Sequence, residues 1–214
     1  MNRTEFHKAI NAFYNNTLSC EAEPNWTFVD HIRNKYLKRT TFLPIEGSAM
    51  ASEIMPETSL EEQTEALQQV SDPATAEREV MVTDSLSGVE AKMHVTVEHH
   101  IVYSPGYQVP VLYFNGYDAD GTALSLDEVY RWVVSKGMQS SLQHGNRLSA
   151  QGSISQEEHP ALGLPFYYIH PCETQSMMRS ISHDIDINTY IKTWLSFIGP
   201  AAGCTLSHQL FLQQ

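Results

Sequence analysis

Phe6, Ile10, Phe13 and Tyr14 recur at helical spacing and predict an amphipathic helix over residues 4–18, with Thr4 as its cap. Beyond it the pattern turns extended. Trp26 to Val29 and Tyr36 to Leu43 predict two strands, joined through a turn at His31-Ile32-Arg33-Asn34-Lys35. Met93 to Tyr103 and Val109 to Phe114 are β-rich runs on either side of the turn signal Ser104-Pro105-Gly106, so they predict an antiparallel pair. Asn115-Gly116 and Asp120-Gly121 read as turns after it, and Leu124 to Val134 as a helix with Asp127 and Glu128 near its start. Ser140 to Ile154 has no clear period and leaves room for a short hairpin around His144-Gly145-Asn146. Leu164 to Ile169 predicts another strand. Asn188 then caps a helix whose apolar face is Tyr190, Ile191, Trp194, Leu195 and Ile198, ended by Gly199-Pro200. A short final helix is expected within Ala201 to Gln214. This order, a helix, several antiparallel strands, then helices, predicts an α+β domain.

One stretch breaks the pattern. Pro44 to Glu79 carries nine acidic residues against a single Arg78, with three prolines and few aromatics. It reads as an acidic, flexible insertion at about 44–79, with a short helix around Leu60 to Val70, within a single domain spanning 1–214. It supplies much of the net charge of -12, which gives a nucleic-acid partner no electrostatic support. With 42% hydrophobic residues the rest can build a sizeable core. The start has no apolar signal-peptide core, and no apolar run approaches the roughly 20 residues of a membrane span. Three cysteines, Cys20, Cys172 and Cys204, make a disulfide framework unexpected and fit a reducing compartment. A cytoplasmic protein is the expectation.

The candidate chemistry lies at His170-Pro171-Cys172, directly after the strand Leu164 to Ile169. Proline fixes its own φ and pushes the preceding residue toward extended geometry, so the triplet reads as a thiol displayed on a rigid turn. Most free cysteines are small buried hydrophobes, and Cys20 and Cys204 are read that way. For Cys172, a protonated His170 two residues before it favours thiolate, while adjacent Glu173 opposes it, which leaves the thiol's pKa open. A zinc site could draw on His170, Cys172 and His99 or His100. It lacks a close ligand pair, and adjacent histidines in a strand point to opposite faces. A cysteine protease would need a base histidine converging from elsewhere, and no local protease signature surrounds Cys172. A non-catalytic module that pairs its sheet edge with a partner strand is a further reading.

Three blocks resemble a known family. Leu162-Gly163-Leu164-Pro165-Phe166-Tyr167-Tyr168-Ile169-His170-Pro171-Cys172 is similar to the active-site segment of the autophagy ubiquitin-like-conjugating enzymes. Tyr190 to Pro200 resembles their following helix, and Tyr103 to Phe114 their central hairpin. The resemblance implies a ubiquitin-conjugating-enzyme-like fold: an antiparallel sheet flanked by helices. Of two branches, one attaches its modifier to phosphatidylethanolamine. The other, shorter, joins autophagy-related protein 12 to a lysine of autophagy-related protein 5. Length, the hairpin Gln108 to Phe114 and Glu173-Thr174 after the cysteine resemble the shorter branch. The insertion at 44–79 keeps the lipid branch open.

The resemblance further implies an activating enzyme, autophagy-related protein 7, as the source of the modifier, and Cys172 as its thioester carrier. No metal or organic cofactor is implied. Both transfer steps pass through tetrahedral oxyanions, which need a hydrogen-bond donor. Ordinary ubiquitin-conjugating enzymes place His-Pro-Asn upstream of their cysteine. Here the cysteine itself follows His-Pro, so the asparagine is missing. His170, by adjacency, and Tyr107, from the hairpin turn, are the expected substitutes. A packing aromatic is the other reading of Tyr107, and Asn115 is expected to be a turn residue.

Overall fold

The computed structural model describes residues 1–23, 26–32, 34–45, 94–138, 154–181 and 185–212; within them the side chains of Cys172, Glu173 and Met177 are left undescribed. The chain begins with helix α1 (Arg3–Leu18), followed by strands β1 (Thr27–Asp30), β2 (Lys35–Pro44), β3 (His94–Ser104) and β4 (Val109–Tyr117). A single α-turn, α2 (Leu126–Glu128), continues as a π-helical turn over Val129–Val133. Strands β5 (Ile154–Glu158) and β6 (Pro165–Ile169) come next, then α3 (Pro171–Ile181) and α4 (Ile187–Ile198). A 3-10 turn (Gly199–Ala202) and a short α5 (Gln209–Leu212) follow. The described strands form one antiparallel sheet in the order β1-β2-β3-β4-β6-β5, the α+β arrangement expected from the sequence.

Alternation along β3 sorts its side chains onto two buried faces. Val95, Val97, Ile101 and Tyr103 join Leu112 and Phe114 of β4 in the main core, against Phe6, Ile10 and Phe13 of α1 and Ile191, Trp194, Leu195 and Ile198 of α4. Each such side chain fully buried contributes roughly 1.5–3 kcal/mol of transfer free energy. On the opposite face Val102, Val111, Tyr113, Tyr36 and Phe166 form a second, smaller cluster.

His99 and His100 divide between these faces, as adjacent strand residues must, and both are fully buried. His99 donates from Nε2 to the Ala202 carbonyl at 2.6 Å. His100 starts a chain of polar groups whose protons can be placed. His159 Nδ1 accepts the amides of Ala161 and Leu162, both at 3.2 Å, so its ring proton is on Nε2. That Nε2 faces His100 Nδ1 at 3.0 Å, which puts the His100 proton on its own Nε2, 2.8 Å from the Glu98 carboxylate. Lys38 closes the chain on the other carboxylate oxygen at 2.8 Å. Burial holds all three histidines neutral: His99 falls to about 3, His159 to about 4, and His100 also falls.

Several local expectations shift. Asn2, not Thr4, caps α1, in a capping box with Glu5. Asp186, not Asn188, caps α4. The helix expected over Leu124 to Val134 starts after Ser125, and most of it is π-helical. Asn115-Gly116 is not a turn: both lie inside β4, where a Cβ on Gly116 would crowd the Leu124 side chain. Of the acidic insertion only Pro44, the last residue of β2, and Ile45 are described. The hairpin expected around His144-Gly145-Asn146 also lies outside the described residues. Among the described residues no helix is long and apolar enough to cross a membrane.

Candidate active site

β4 and β6 are in register at only two positions, Tyr113↔Tyr168 and Phe114↔Tyr167. Continuing that register toward the β3–β4 turn sets Val111 opposite His170 at the end of β6, with the turn itself lying beyond, toward the start of α3. At the other end of the pair, Asn115 substitutes for missing ladder bonds. Its Nδ2 donates to the Pro165 carbonyl at 3.1 Å and its Oδ1 accepts the Tyr167 amide at 3.4 Å. The residue expected to be a turn therefore fastens the strand that leads to the site.

Tyr107 sits on the turn that joins β3 to β4, closed by the pair Ser104↔Val109. The Gln108 amide donates to the Ser104 carbonyl at 2.8 Å, and the Tyr107 amide to the Ser104 hydroxyl at 3.4 Å. Gln108 is left-handed, with φ of 55°, a conformation a side-chain-bearing residue adopts at some cost. The turn delivers the Tyr107 hydroxyl to 3.1 Å from His170 Nε2, with the rings edge to face at a centroid distance of 5.3 Å. Either group can donate: a protonated Nε2 to the phenol oxygen, or the phenol to a bare Nε2. Tyr107 is 40% exposed, so a group held there meets solvent or a substrate.

The His170-Pro171-Cys172 segment differs from the expected rigid turn. It is the entrance to α3, an 11-residue helix with Pro171 as its first residue and Cys172 as its second. Proline suits this position because the amide it lacks has no partner in the first turn. Thr174 donates back to the Pro171 carbonyl at 3.1 Å, and Gln175 reaches across to the Tyr107 carbonyl at 2.8 Å. The first amides of a helix point out of its end unpaired, and the helix dipole favours a negative charge there. Of the three residues singled out in the sequence, Tyr107 and His170 touch, and the main chain of Cys172 follows two residues on. Gln175 was missed. Its signal is the helix start itself: proline at the first position, with Cys172 and Gln175 three apart on one face.

The other two cysteines are buried, as their reading as small hydrophobes expects. Burial raises the Cys204 thiol to about 11.

Residues 5–209 match the family model described as autophagocytosis associated protein, active-site domain. The chain is 32% identical over 194 residues to the ubiquitin-like-conjugating enzyme ATG10 of Arabidopsis thaliana, covering 84% of this chain and 80% of that one. To ATG10 of Homo sapiens it is 39% identical over 116 residues, covering 52% of this chain and only half of the human protein's length. The solved structure described as the crystal structure of autophagic E2, Atg10, aligns with 96% of this chain and 98% of its own, with a TM-score of 0.46 at 15% identity. A family model matched over nearly the whole length, and a plant relative covered over most of both chains, show that this chain belongs to the ATG10 family of ubiquitin-like-conjugating enzymes.

Proposed function

We propose that this chain carries autophagy-related protein 12 as a thioester on Cys172 and transfers it to a lysine of autophagy-related protein 5, receiving it from autophagy-related protein 7, in the cytoplasm. The observation that supports this reading is the convergence of the Tyr107 hydroxyl, His170 Nε2 and the amino end of α3, which begins at Pro171 and bears Cys172 as its second residue.

In the first step the Cys172 thiolate attacks the carbonyl carbon of the thioester on the activating enzyme. The tetrahedral oxyanion collapses and expels that enzyme's thiolate. In the second, the neutral amine of the acceptor lysine attacks the new thioester, loses a proton, and expels the Cys172 thiolate, leaving an amide bond. The helix end favours the thiolate as attacking and leaving group. With its proton on Nε2, His170 donates to the Tyr107 oxygen, and the phenol proton is then free to bond the oxyanion. This arrangement takes the place of the asparagine used by ordinary ubiquitin-conjugating enzymes.

Reconstitution with the activating enzyme and each autophagy modifier tests the reading. Cys172→Ser is expected to trap an oxyester that survives reductant, because an alkoxide is a poorer leaving group than a thiolate. A Cys172→Ser protein that still forms a reductant-sensitive adduct would sink the assignment. Charging with the lipid-directed modifier alone would move the chain to the phosphatidylethanolamine reaction.

A further inference from the structure

We propose that Gln175 is a positioning residue of this site: its carboxamide clamps the Tyr107 turn to the helix that carries Cys172. The inference rests on the catalytic reading above and assigns a role that Cys172, His170 and Tyr107 do not fill.

Tyr107 hangs from the tip of a hairpin turn and is partly exposed. It is gripped at three points. The Ser104 hydroxyl takes its amide, but Ser104 belongs to the same hairpin and moves with it. His170 meets its hydroxyl, the atom assigned to the oxyanion, so that contact is disturbed whenever the hydroxyl does its work. Gln175 alone among these holds the Tyr107 main chain from another element, through the carbonyl at 2.8 Å. That carbonyl belongs to the peptide linking Tyr107 to the left-handed Gln108, so the bond fixes the peptide plane on which the turn's conformation depends. Gln175 lies three residues after Cys172 on α3, on the same helical face. One helix therefore carries the nucleophile and sets the register of the tyrosine against it. Transfer chemistry is sensitive to ångström-scale misplacement, so a single neutral hydrogen bond here matters more to rate than to stability.

The test uses the full chain, charged with modifier by the activating enzyme and then chased with acceptor. Gln175→Ala and Gln175→Asn are expected to reach the same end point of charging and to melt like the wild type. They are expected to discharge roughly 3–10-fold more slowly, the factor that one hydrogen bond supplies. Asparagine keeps the amide but is one methylene too short, so its loss would report reach rather than polarity; it also carries the test should the alanine variant fold poorly. In a Tyr107→Phe background, Gln175→Asn is expected to add no further slowing, because the clamp acts through the missing hydroxyl. Wild-type discharge by Gln175→Asn, or a slowing that multiplies with that of Tyr107→Phe, would overturn the clamp. A wild-type chain that takes no modifier on Cys172 would instead overturn the catalytic reading, and the clamp with it.

Discussion

Cys172 and Cys204 occupy opposite poles of neighbouring helices. Cys172 is the second residue of α3, where amides point outward and negative charge is favoured. Cys204 follows the carboxyl end of α4 and its 3-10 extension. There its own amide donates to the Gly199 carbonyl at 2.8 Å, after Gly203 turns the chain left-handed at φ 64°. It is fully buried beside the Arg39–Glu23 ion pair, itself almost wholly excluded from solvent, and its thiol is pushed up to about 11. The same side chain is thus a candidate nucleophile at one pole and a piece of packing at the other. The local architecture decides which: a helix start for Cys172, a buried helix exit for Cys204.

The largest expected effect is on reactivity. At pH 7.5 a thiol near 11 is almost wholly protonated, so even an ordinary thiol, with a pKa of roughly 8.5, holds roughly 300 times more thiolate. Native alkylation followed by peptide mapping should label Cys172 at least that much faster than Cys204. Comparable labelling rates would erase the contrast.

The Cys204 pole can be broken sterically. A Cβ at Gly199 would collide with the Cys204 carbonyl, so Gly199→Ala should lower unfolding stability by roughly 2–3 kcal/mol in a urea titration. It should also open Cys204 to alkylation, with Cys172 labelling unaffected.

Acid attacks the same pole. His99 fastens Ala202, and its pKa is lowered from 6.5 to about 3, with burial as the main cause. The unfolded chain therefore binds the proton more tightly. The His99 contribution is complete above pH 6.5 and is lost progressively as pH falls from 6.5 toward 3. Between pH 6.5 and 5 that amounts to on the order of 2 kcal/mol from His99 alone, readable as a falling urea midpoint. A flat midpoint over this range would show that the helix end does not depend on the neutral imidazole.

The smallest effect sharpens the Cys172 pole. Tyr107→Phe removes one hydroxyl from an exposed ring and should leave the melting temperature in place, while slowing discharge of the thioester about tenfold. Single-turnover discharge rates measure it.

Much of the sheet was legible because its strands are long and doubly buried. β3 and β4 read as dense β-branched runs, and α1 and α4 showed apolar stripes of helical period. β5 was not, since Ser155, Gln156, Glu157 and Glu158 lie on an edge and carry no apolar alternation. Asn115-Gly116 misled for a physical reason: the glycine lets Leu124 pack close, a use of small size that resembles turn chemistry in sequence. α3 was hidden because its entry, His170-Pro171-Cys172, looks like a strand exit until proline is read as a first helical residue. Tyr107 and His170 were read as alternative donors, one from the hairpin turn and one by adjacency to the cysteine; their contact with each other was not legible in the sequence. Gln175 could not be found without the helix that aims it.

The chain of imidazoles from His159 through His100 to Glu98 has a spectroscopic consequence. Each ring keeps one proton on a fixed nitrogen, shielded from solvent, and burial favours its neutral form. Two slowly exchanging ring N–H resonances should stand far downfield of the amide envelope. They would disappear together when the second face of the sheet loosens. The fold thereby carries its own magnetic reporter of sheet integrity, on the face away from α1 and α4.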